Sequence, residues 1–238
     1  MTEPLIASTA LTKRYADFTA LDAFDLELGA GESVVLLGGN GAGKTTFIEL
    51  CLGFAVAESG RLRVAGADPA TDPMAARAAC AYLPEQFTLY ESLTARETLA
   101  YFAALAGRPA PTTGRTEALL AEAGLAQEAI DRRVGTYSKG MRQRLALAVA
   151  LARGARIALL DEPTTGLDPG AIAGLARTLR ELAARGVAVL IATHDLAFAR
   201  AAADRAVVMR AGRVLVRADC DDPRGLPSVY AQATGAAA

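Results

Sequence analysis

Two kinds of hydrophobic pattern alternate along the chain. Ser33-Val34-Val35-Leu36-Leu37, Ile157-Ala158-Leu159-Leu160 and Val187-Ala188-Val189-Leu190-Ile191-Ala192 are continuous apolar runs, as in strands buried on both faces. Other stretches have helical spacing: Leu99, Phe102 and Leu105; Met141, Leu145, Ala148 and Ala152; Ile172, Leu175, Leu179 and Leu182. This alternation predicts an α/β fold whose sheet is mixed and largely parallel. Ahead of it, Leu5 to Leu28 reads as two or three short strands of an N-terminal antiparallel β subdomain, turning at Tyr15-Ala16-Asp17. Gly60 to Gly66 reads as a strand, Pro73 to Ala79 as a short helix and Cys80 to Leu83 as another strand.

From Pro84 to Thr136 the pattern turns helical, which predicts a helical subdomain at about residues 86–152 inserted into the α/β core. Thr94-Ala95-Arg96-Glu97 is a capping box opening one helix, and a second runs from about Arg115 to Ala123. Asp168-Pro169 opens a later helix that stops at Gly186. Ala206 to Met209 and Arg213 to Val216 flank Arg210-Ala211-Gly212 as a hairpin. The main domain is expected over residues 5–217, and 218–238, rich in Pro, Gly and Ala, as a short, weakly structured tail.

The chemistry sits where these elements end. Gly38-Gly39-Asn40-Gly41-Ala42-Gly43-Lys44-Thr45-Thr46 joins a buried strand to a helix and matches G-x-x-x-x-G-K-[ST], the phosphate loop of P-loop NTPases. Glycines let the backbone close around phosphates, the free N–H groups at the helix start attract anions, Lys44 reaches the terminal phosphates, and Thr45 offers a hydroxyl to Mg2+. The Ile157 strand delivers Asp161-Glu162 at its end. Adjacent carboxylates there are costly to bury without a cation, which Mg2+ would supply, leaving Glu162 to orient or deprotonate water. His194, the one histidine, ends another central strand, on the edge where α/β sheets place ligands. Ser138, at a helix start, either caps the helix or binds an anion, Asp168 is an N-cap, and Tyr15 either packs at a strand edge or stacks on a base.

Composition narrows the class. A formal net charge of -1 gives no basic footprint for nucleic acid. The 52% hydrophobic content is heavy in alanine, with no run of about 18 strongly apolar residues and no signal-peptide pattern at Met1-Thr2-Glu3-Pro4, so a cytosolic location is expected. Three cysteines, Cys51, Cys80 and Cys220, lack metal spacing and read as small buried residues. Of the 25 basic residues, only Lys13, Lys44 and Lys139 are lysine, and two of the three fall inside motifs.

Together these motifs resemble the ATP-binding subunit of an ABC transporter over about residues 5–217. Gly38 to Thr45 is similar to the Walker A loop, Ile157 to Glu162 to the Walker B strand with its catalytic glutamate, and Tyr137 to Met141 to the family signature. Gly166-Leu167-Asp168 resembles the D-loop, His194 the switch histidine, and Tyr15 falls where the family stacks an aromatic on adenine. The resemblance implies Mg-dependent ATP hydrolysis in a head-to-tail dimer, expected to be a homodimer, in which Ser138, Lys139, Gly140 and Met141 of one copy complete the other's nucleotide site. It also implies transmembrane permease subunits as partners and a place on the inner face of the cell membrane. The wording Leu83-Pro84-Glu85 and Tyr137-Ser138-Lys139-Gly140-Met141 is similar to ABC-2-type bacterial exporters. A soluble ABC ATPase acting on ribosomes or DNA is the alternative; the short helical insert and mild acidity weigh against it. Three positions depart from the family pattern: Gly39 where proline is usual, Lys139 in the signature, and Glu85-Gln86, either of which could take the Q-loop role.

Overall fold

The computed structural model describes residues 3–222 and 225–235. Its scaffold is a six-stranded sheet built from β3 (Ser33–Leu37), β5 (Cys80–Leu83), β6 (Ile157–Asp161), β7 (Ala188–Thr193), β8 (Arg205–Arg210) and β9 (Arg213–Asp219). The spatial order is β5-β6-β7-β3-β8-β9. The first five run parallel and β9 returns antiparallel to β8. Every residue of β3, β6 and β7 is buried, as their unbroken apolar runs require.

Because successive side chains point to opposite faces, each strand feeds two cores. Val35, Leu37, Leu160 and Ile191 join one with helices α3 (Ala95–Leu105), α4 (Thr113–Glu122), α5 (Lys139–Leu151), α6 (Pro169–Ala184) and α7 (Leu196–Ala202). Val34, Leu36, Leu159 and Leu190 join the other with α1 (Lys44–Cys51) and a second sheet. That sheet pairs β1 (Ile6–Tyr15) antiparallel with β2 (Phe18–Leu28) and β4 (Ser59–Val64). The helix α1 therefore lies between two sheets, with the Phe24 and Phe47 rings 4.7 Å apart. A short α2 (Pro73–Ala79) leads into β5.

Between the neighbouring strands β5 and β6 come α3, α4 and α5 with short 3-10 turns at Gln127–Ala129 and Val134–Thr136. Thr94 and Glu97 form both halves of the expected capping box. Thr112 caps α4, which begins two residues ahead of the expected start, and Asp168 caps α6 as expected.

Two expectations need correction. The N-terminal strands are not two or three short pieces but two long ones of 10 and 11 residues, bent by bulges. Ala10 and Ala23 take positive φ there, their N–H groups bonded to Asp25 and Thr12, so the chain kinks without ending. The C-terminal stretch is not weakly structured where it is described: α8 (Leu226–Thr234) buries Leu226 and Val229 against the first core. Residues 223, 224 and 236–238 of that expected tail lie outside the described residues. Among the described residues, no helix is long and apolar enough to cross a membrane.

Candidate functional site

The C-terminal ends of β3, β6 and β7 meet at one edge of the sheet, and each delivers part of the site. The loop Gly38–Thr46 leaves β3 and runs into α1, whose N-cap, Gly43, makes no side-chain capping bond. Its first N–H groups therefore stay free of a side-chain oxygen, as an anion site needs. Two glycines are sterically required. A Cβ on Gly38 would sit 2.5 Å from the Met209 carbonyl oxygen, and one on Gly43, at φ 101°, would collide with the Ala20 carbonyl. Gly39 has open space around a would-be Cβ, so packing does not require glycine there. Gly39, Asn40, Gly41 and Thr45 are exposed on the rim, Thr46 is half-buried, and Ala42 and Gly43 face inward.

Lys44 is buried, 6% exposed, and folds back over the loop. Its Nζ donates to the Gly38 carbonyl at 2.7 Å and the Gly39 carbonyl at 3.3 Å, and lies 3.2 Å from Glu162 Oε1. Glu162 follows β6 at φ 43°, the left-handed region that a branched-off Cβ resists, held by its N–H on the Ala192 carbonyl at 2.8 Å. Its other oxygen meets His194 Nδ1 at 2.9 Å and receives the Thr193 hydroxyl at 3.3 Å. Lys44, Glu162 and His194 thus form one contiguous chain. The His194 ring is otherwise exposed.

Asp161, 5% exposed, has its pKa raised above 3.8, chiefly by desolvation, against the bond from Thr45 and with the Glu162 charge adding to the rise. Its Oδ1 is buried with no hydrogen-bond partner. A buried carboxylate oxygen left unpaired beside a hydroxyl suits a hard cation with oxygen ligands, so the residues fit Mg2+. No cluster of three or more His, Cys, Asp or Glu that could hold a metal exists among the described residues.

The remaining expected residues lie apart. Ser138 caps α5 through the Met141 N–H at 3.3 Å and is exposed with Lys139, while Gly140 is buried and Met141 half-buried. No hydrogen bond or ion pair among the described residues joins Ser138–Met141 to Gly38–Thr46. Asp168 accepts from the Ala171 N–H at 2.9 Å. Tyr15 is 42% exposed, its hydroxyl 3.4 Å from Glu49 of α1 and its ring under Lys13 Nζ at 4.7 Å. Burial, then the Glu49 charge, raises its pKa above the usual phenol value. Glu85 and Gln86 are both exposed, and Glu85 acts electrostatically on Asp161.

Two residues that the sequence reading passed over belong to this site. Thr193 binds Glu162 and also receives the Asp195 N–H at 3.1 Å. Gln143 is buried on α5 and donates its side-chain amide to the carbonyl of Pro163, next to Glu162. Its signal is position: Gly140, Gln143, Leu147 and Leu151 form one buried helical stripe in which Gln143 alone is polar.

The geometry has clear counterparts among known proteins. A family model described as ABC transporter matches residues 21–165. The daunorubicin resistance ATP-binding protein DrrA2 of Streptomyces coeruleorubidus is 40% identical over 94% of this chain and 69% of its own length. The Nod factor export ATP-binding protein I of Burkholderia orbicola (strain AU 1054) is 37% identical over 84% of this chain and 66% of its own. The chain spans about two thirds of the length of these relatives. A solved ATP-binding subunit of an ABC transporter superposes with a TM-score of 0.80 at 31% identity, covering 97% of this chain and 99% of that one. A dimeric ATP-binding cassette in a post-hydrolysis state with ADP and Pi gives 0.76 at 25% identity, covering 90% and 98%.

Proposed function

The chain belongs to the ABC transporter family, and on that premise we propose that it is the ATPase of a bacterial ABC-2-type exporter, working as a homodimer beneath a transmembrane permease. The observation that carries the reading is the convergence of Lys44, Asp161, Glu162 and His194 at the mouth of the Gly38–Thr46 loop. Lys44 and the loop N–H groups hold the β- and γ-phosphates. Thr45 and Asp161 would hold Mg2+, which neutralises phosphate charge when bound. Glu162 accepts the proton of the attacking water while Thr193 and His194 fix its carboxylate, and His194 reaches the γ-phosphate side. Tyr15 offers adenine the ring face that Lys13 leaves free.

Ser138 to Met141 are assigned to the nucleotide of a second copy: among the described residues no hydrogen bond or ion pair joins them to the phosphate loop, and the helix start is exposed at Ser138 and Lys139. Asp168 holds the D-loop end of the same surface. Glu85, whose charge acts on Asp161, takes the Q-loop role. It lies beside a groove of about 750 Å³ lined by Phe54, Tyr82, Phe87, Leu99, Phe102 and Val149. Phe54 and Leu105 expose 62% and 66% of their surface there, enough to take an apolar helix end of the permease. On this reading the chain works at the cytoplasmic face of the membrane, without a nucleic-acid partner. The relatives' names attach to drug and Nod factor export and support an export direction here.

The test is Glu162→Gln in the purified full chain. It should retain ATP, run as a dimer in ATP on size exclusion, and lose turnover at least 100-fold, the size of losing one preorganised transition-state group. Turnover at the parent rate removes Glu162 from the chemistry.

A further inference from the structure

The loop that carries Glu162 is gripped by α5 at both ends. At its start, Gln143, a residue 5% exposed, donates to the Pro163 carbonyl in a buried bond, away from competing water. At its end, the first turns of α5 and α6 touch: a Cβ on Gly140 would come within 2.9 Å of Ala171 Cβ. Between them Lys139 lies along Gly166, at φ 69°, with Nζ 2.6 Å from where a Cβ would be. Short turns close the rest, Thr165 N–H to the Glu162 carbonyl at 3.3 Å and Leu167 N–H to the Thr164 carbonyl at 3.1 Å. Glu162 needs such support. A non-glycine residue at φ 43° persists only where its surroundings over-determine it, and the residue before a proline has fewer backbone options still.

We propose that Gln143 is a positioning residue for ATP hydrolysis, tying the helix that begins with Ser138–Met141 to the strained Glu162-Pro163 turn. The inference rests on the reading above, in which that helix start faces the nucleotide of a second copy while Glu162 serves its own. One side chain then links the two sites: movement of α5 at one nucleotide is felt by the catalytic carboxylate at the other. The close approach of Gly140 to Ala171 gives the far end of the loop a second point of attachment to α5.

Mixed dimers separate this from a plain role in the helix. In a dimer of one Glu162→Gln chain and one chain with native Glu162, only one site turns over: the one using the native chain's Glu162 and the first chain's Ser138–Met141. Gln143→Met, close in size and lacking the donor, is placed in either chain, and each chain carries a different affinity tag for purification of the mixed species. Placed with native Glu162, it should cut kcat at least tenfold with the KM for ATP changed less than twofold, and bend the pH profile by shifting its acid limb. Placed with Glu162→Gln, it should leave kcat within twofold. The reverse pattern, loss only when it shares the chain whose helix start completes the active site, overturns the proposal, as does equal loss or equal indifference in both positions. Gln143→Glu, which keeps the length but not the donor, should behave as Gln143→Met does; native activity in that variant also overturns it. Failure of the underlying reading shows separately, as turnover in dimers carrying Glu162→Gln in both chains.

Discussion

The phosphate loop and the start of α5 both offer backbone N–H groups at a helix N-terminus, and the chain equips them in opposite ways. At the loop, Gly43 leaves α1 without a side-chain cap while Lys44, buried, is held by two carbonyls and a carboxylate. At α5, Ser138 caps the helix itself, and Lys139, exposed, has no hydrogen bond or ion pair among the described residues. The first place is shaped in advance for phosphate; the second is an open surface that is stable in water and acts only when something is brought to it. A lysine at the first position of a helix is placed against the helix dipole, which favours anions there. On the proposed reading, that charge serves a site on another copy.

The largest expected effect falls on the shaped side. Lys44→Ala should lower kcat/KM for ATP about 1000-fold, at the upper range for loss of one preorganised donor, checked by phosphate release and by binding of a fluorescent ATP analogue. Next, two inactive variants should complement each other. A mixture of Lys44→Ala and Ser138→Arg chains forms mixed dimers in which one site pairs an intact loop with an intact helix start. Since half of randomly paired dimers are mixed and half their sites intact, activity should return to about a quarter of the native rate. No recovery would mean that both regions act within one chain, erasing the contrast.

Smaller effects sharpen it. Glu85→Ala should reduce coupled ATPase activity several-fold and Gln86→Ala should not, in assays with and without membranes carrying the permease. Asp161→Asn should abolish Mg-dependent turnover yet raise the melting temperature of the chain by a few degrees without nucleotide. The sign follows from burial. The pKa of Asp161 is raised in the fold, so the folded chain holds that proton more tightly than the unfolded one. Its contribution to stability is full below the unfolded value of 3.8 and is lost as pH rises through the raised one, a dependence the asparagine lacks. Thr94→Ala should cost about 1 kcal/mol, the usual worth of an N-cap, read by urea denaturation, with nucleotide binding unchanged.

How much could be read from residues alone differs by element. Continuous apolar runs gave the central strands, because burial on both faces leaves no room for polar alternation. Caps gave α3 and α6, because Thr94 with Glu97 and Asp168 with Pro169 carry their mechanism in their chemistry. The bulged β1 and β2 were hidden because their positive-φ residues are alanines, Ala10 and Ala23, where glycine is the usual marker. In α8, Pro and Gly composition masked a short stripe of Leu226, Val229, Tyr230 and Ala233. The helix α7 was passed over because seven residues give too little period, although Asp195 caps it. At the site, motif spacing located the phosphate loop and the strand-end carboxylates. Thr193 and Gln143 escaped because their roles come from contacts between segments far apart in sequence.

The ion pair of Lys44 with Glu162, at 3.2 Å, has a consequence of timing. Without a ligand, each of the two groups occupies the other. On the proposed reading, a phosphate that draws Lys44 away frees the Glu162 oxygen facing it while Thr193 and His194 keep hold of the other. The carboxylate then turns to water only once the substrate has arrived, a safety catch against wasted fuel.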